Sequence, residues 1–73
     1  SAGESKGTDW TRKEWMAFYD NEAYSAEWDN GATQEIASAT AFDACVTEYR
    51  NQHPSTSRTD ARDKIGVMLE DTP

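Results

Sequence analysis

From Glu14 to Tyr49 the chain contains no lysine and no arginine, yet that stretch holds eight carboxylates: Glu14, Asp20, Glu22, Glu27, Asp29, Glu35, Asp43 and Glu48. A phosphate-binding surface needs clustered cations, so this half of the chain is excluded as a nucleic-acid backbone contact. The seven basic residues all lie outside it: Lys6, Arg12 and Lys13 before, then Arg50, Arg58, Arg62 and Lys64 after. The net charge of −7 favours solubility and opposes non-specific attraction to nucleic acid or anionic membranes.

Cysteine is almost as scarce. Cys45 is the single one, which excludes an intramolecular disulfide, and small secreted domains usually depend on several. The expected location is therefore a reducing compartment, the cytoplasm. No run of 18 or more apolar residues occurs, as a membrane span would need, and no charged n-region leads into an apolar run as in a signal peptide.

The inventory for chemistry is equally thin. The one histidine, His53, stands eight residues after Cys45 across a helix-to-loop boundary, and Cys45 is expected to face inward, so the two do not make a nucleophile pair. No Cys and His set exists for zinc, no alternating acidic loop for calcium and no glycine-rich loop for phosphate. The expectation is no enzyme, no metal and no cofactor, since a core this small leaves little room for a pocket of several hundred Å³.

What the chain does have is helical pattern. Seventy-three residues make one domain that hides only roughly 60% of the surface its unfolded chain exposes, so the three Trp, three Tyr and two Phe matter greatly to the core. The expected fold is all-α, a small three-helix bundle with helices at about 11–28, 33–52 and 58–70. Residues 1–9 are polar and read as a disordered N-terminal tail, residues 10–70 as the domain, and residues 71–73 as a loose end.

The first helix carries the most specific local signal. Thr11 with Glu14 has the spacing of a capping box, and Trp10 with Trp15 that of a hydrophobic staple. Trp15, Phe18, Tyr19, Ala23 and Ala26 then share one side at helical spacing, leaving Asp20, Tyr24, Glu27 and Trp28 on the other. Glu22 would project among Trp15, Phe18 and Ala26, so either one continuous helix or a kink near Asp20–Glu22 is compatible with the pattern. Gly31 suits the left-handed residue that ends a helix.

In the second segment Ile36, Ala39, Phe42, Val46 and Tyr49 fall on one face, while Ala37, Ala41 and Ala44 form a flatter strip that lets another backbone come close. The His53–Ser57 stretch reads as a loop around Pro54. Ser57 with Asp60 resembles a further N-cap, after which Ala61, Ile65, Met68 and Leu69 line one helical side. Gly66 weakens that helix by about 1 kcal/mol relative to Ala, and the alternation Ile65, Val67, Leu69 leaves a short strand open.

Size and charge resemble those of carrier proteins, but a carrier's modified serine sits in Asp-Ser-Leu or Asp-Ser-Met at a helix start, and neither tripeptide occurs here. Two functions remain in view. The first is a protein–protein interaction module that binds a partner with a basic surface through Asp20, Tyr24, Glu27 and Trp28, because exposed Tyr and Trp make binding hot spots and carboxylates steer a basic partner. An inhibitor presenting negative charge in place of nucleic-acid phosphates is one form of it. The alternative is a helix-turn-helix that binds DNA with Arg58, Arg62 and Lys64 of the third helix.

Overall fold

A computed structural model describes residues 10–70; the expected N-terminal tail and loose C-terminus lie outside the described residues. Three helices follow one another: α1, Arg12–Asn30; α2, Gln34–Gln52; and α3, Arg58–Glu70. The expected three-helix architecture is thus the observed one, and Ile65–Leu69 is helix, not strand.

The helix ends show why they fall where they do. Thr11 is the N-cap of α1: the Glu14 N–H donates to its Oγ1 at 3.2 Å, and its own N–H donates to Glu14 Oε1 at 2.7 Å. Trp10 packs on Trp15 with ring centroids 4.6 Å apart, so the staple forms beside the box. Gly31 ends α1 at φ 67°, ψ 25°, a conformation that glycine adopts without steric cost. Its N–H donates to the Glu27 carbonyl and that of Ala32 to the Ala26 carbonyl. Thr33 caps α2, accepting from the Ile36 N–H at 3.3 Å. Ser57 accepts from the Asp60 N–H at 3.1 Å at the start of α3.

A connection this short between two 19-residue helices lays them side by side as an antiparallel hairpin. Their contact is the most extensive in the fold, and α3 packs mainly on α2. The core has two zones. Near the open end of the hairpin, Trp15, Cys45, Val46, Ala61 and Ile65 are buried, with Trp10, Phe18, Tyr19, Phe42, Tyr49, Met68 and Leu69 packed around them. Towards the Gly31 turn the buried residues are only Ala26, Ala37 and Ala41.

One expectation changes and one open alternative closes. The expected strip residues Ala37 and Ala41 are buried together with Cys45 and Val46, whereas Ile36 and Ala39, expected on the larger apolar face, are exposed, Ile36 to 58%. The reason is volume: α1 brings Trp15, Phe18 and Tyr19 to the interface, and two close-packed helices need small residues opposite large ones. Of the two forms open for α1 the continuous one is observed, unbroken through Asp20–Glu22. No kink is needed because Glu22 is only half-buried, which lets its carboxylate reach water from an otherwise apolar side.

At the far end Arg12 Nε donates to the Met68 carbonyl at 3.0 Å. Helix α3 has no basic residue in its last turn, so a cation from α1 satisfies one of its orphan carbonyls and opposes the negative end of its dipole. In the same helix nothing lies within 4 Å of a Cβ built on Gly66. Gly66→Ala is therefore expected to raise stability by about 0.5–1 kcal/mol, read as a higher urea midpoint at unchanged slope; a lower midpoint would show that the site has no such space.

Candidate functional site

The outer face of α1 gathers Asp20, Tyr24, Glu27 and Trp28 within about a third of the helix circumference, as spacings of four, three and one residues dictate. All four are exposed. Tyr24 is 64% and Trp28 72% accessible, and their rings lie 5.7 Å apart at 35°. One turn of helix thus presents a paired aromatic surface, with the buried Ala26 behind it holding the backbone close to α2.

The charges around that pair run against helix electrostatics. The last turn of α1 contains no basic residue, while Glu27 and Asp29 place carboxylates where the dipole is already negative, at a cost of about 0.3–1 kcal/mol each. Asp29 Oδ2 accepts a hydrogen bond from Ser25 Oγ at 2.8 Å, an exposed contact that fixes its direction without neutralising it.

Next to this face lies a groove of about 280 Å³, lined by Met16, Tyr19 and Asp20 of α1, Phe42 of α2, and Leu69 and Glu70 of α3. Asp20 belongs to both features. The sequence did not reveal the groove, because its walls come from three helices and only the four-residue step from Met16 to Asp20 is local.

The basic residues of the third helix have a different setting. Arg58 and Arg62 both approach Asp43 Oδ1, at 3.6 and 3.5 Å, and the Arg62 guanidinium sits 5.3 Å from the centre of the Phe42 ring. These side chains tie α3 to α2. Lys64 is exposed.

Cys45 is fully buried, and its thiol is pushed up to about 12, by burial first and by the Glu22 carboxylate second. A thiol buried in this way disfavours the thiolate form that a nucleophile needs. His53 instead stacks on Tyr49, with ring centroids 4.5 Å apart. Among the described residues no group of three or more His, Cys, Asp or Glu could hold a metal ion, and no helix is long and apolar enough to cross a membrane.

In comparisons with protein-family models, curated proteins and solved structures, the chain matches none.

Proposed function

We propose that this domain is a protein–protein interaction module whose outer α1 face, Asp20, Tyr24, Glu27 and Trp28, binds a partner with a basic surface. The observation that carries the reading is the exposed Tyr24–Trp28 pair on a half-helix whose only charged side chains are carboxylates. Two large aromatics left in water and two acids set against the dipole lower the stability of the free domain. Both become favourable when an apolar, cationic surface covers them. In its more specific form the module is an inhibitor that offers carboxylates where the partner expects nucleic-acid phosphates.

DNA binding is the second reading. Against it stand the pairing of Arg58 and Arg62 with Asp43 and the net charge of −7. Salt-sensitive duplex binding that weakens in Arg58→Ala and Arg62→Ala would favour it instead.

The test begins with capture of a partner from the source lysate and its purification. Tyr24→Ala and Trp28→Ala should each weaken that complex by about 2 kcal/mol, roughly 30-fold, with helical circular dichroism unchanged. Glu27→Gln with Asp29→Asn should slow association most at low salt and raise the melting temperature of the free domain slightly. Unchanged affinity in both aromatic variants would reject the surface, and loss of helix would assign the rings to the fold.

A further inference from the structure

We propose that the groove between Met16, Tyr19, Phe42 and Leu69 receives one arginine side chain of the partner, with its guanidinium held by Asp20 and Glu70. This inference rests on the protein-binding reading above and names the chemistry that the partner must present. A groove of about 280 Å³ lies at the lower end of the range of ligand pockets and has room for a single long side chain.

Its composition selects which one. Met16 and Leu69 offer apolar surface for an aliphatic stem, and Tyr19 and Phe42 offer two aromatic rings. Asp20 from α1 and Glu70 from α3 are exposed and lie along its lining. A planar guanidinium is suited to both, because it stacks on rings and forks onto carboxylates, whereas an ammonium is a strongly hydrated point charge. Phe42 already carries the Arg62 guanidinium at 5.3 Å, so the ring open to an incoming guanidinium is that of Tyr19, with Phe42 serving as apolar wall.

Two arginines of this chain stand at the margins of the groove, and neither forms an ion pair with Asp20 or Glu70 among the described residues. Arg62 pairs with Asp43 at 3.5 Å, and Arg12 donates to the Met68 carbonyl. Position supports the same occupant: Asp20 is two turns before Trp28 on the same face, about 12 Å along the helix. One basic partner surface can therefore reach the groove and the aromatic pair together.

The experiment uses the full chain, labelled with ¹⁵N and ¹³C, titrated with three capped pentapeptides that differ only at a central arginine, citrulline or norleucine. Citrulline keeps the shape of arginine and removes its charge. The arginine peptide should shift the resonances of Met16, Tyr19, Phe42 and Leu69 saturably in the millimolar range. Citrulline should bind at least about fivefold more weakly, as should arginine to the Asp20→Asn, Glu70→Gln double variant, whose circular dichroism should match the parent. Equal binding of citrulline or norleucine, or no groove shifts at all, would overturn the proposal. Shifts confined to Tyr24 and Trp28 would also overturn it, while leaving the α1 surface reading intact. Failure of that surface reading is seen separately, as a partner complex indifferent to Tyr24→Ala and Trp28→Ala.

Discussion

Trp15→Ala is expected to lower the unfolding free energy by about 3–5 kcal/mol, the largest loss that any one residue of this domain should cause. Trp15 is 1% exposed and packs against three other rings, 4.6 Å from Trp10, 6.1 Å from Phe18 and 6.0 Å from Tyr49 between ring centroids. Removing the indole leaves a hole beside Phe18 and Tyr49, whose backbones are held in α1 and α2, so the site refills only in part. A chain of this length has a total stability of about 4–11 kcal/mol at the usual 0.05–0.15 kcal/mol per residue. The variant should thus be partly or wholly unfolded at room temperature, as read by far-ultraviolet circular dichroism and urea titration. Trp15→Phe, which refills much of the volume, should recover a cooperative transition. A fully folded Trp15→Ala protein would show that the core lies elsewhere.

Ile65→Ala should follow closely, at about 2–5 kcal/mol, equivalent to a melting temperature lower by roughly 4–8 °C per kcal/mol for a domain of this size. Ile65 is the only large, fully buried side chain of α3, whose other buried residue is Ala61. The surface pairs of Arg58 and Arg62 with Asp43 involve side chains that are more than half exposed, and such pairs are worth only about 0–1 kcal/mol. They cannot hold α3 in place of Ile65. Ile65→Val should cost about 0.5–1.5 kcal/mol, so the series measures how much of α3 docking is apolar. An Ile65→Ala loss smaller than that of Asp43→Ala would reverse this ranking.

The parts of the fold legible in the sequence are those written within four residues. Thr11 with Glu14, Trp10 with Trp15, Gly31 and Ser57 with Asp60 each signal a helix end through a hydrogen bond or ring contact that the local chain completes by itself. The core of α2 was legible only in part. The periodicity marked Ala37 and Ala41 as a close-packing strip and Val46 as apolar face, and these are buried. It also set Ile36 and Ala39 on the larger apolar face, and which part of that face is covered depends on what Trp15, Phe18 and Tyr19 of α1 bring against it. The same division applies to the candidate site. Exposure of Tyr24 and Trp28 follows from their phase relative to Trp15 and Ala26. The groove draws its lining from Asp20 of α1 and Glu70 of α3, and only the packed fold sets residues so distant in sequence around one space.

The Arg12 hydrogen bond to the Met68 carbonyl also has a topological consequence. It brings the first turn of α1 and the last turn of α3 within one side-chain length, so the described unit leaves and returns at nearly the same point on its surface. A loop joining those two points would be short, and closing a short loop costs little chain entropy. In terms of connectivity the bundle is almost a ring, and the order in which its three helices occur along a chain is a weaker constraint on the fold than the contacts between them.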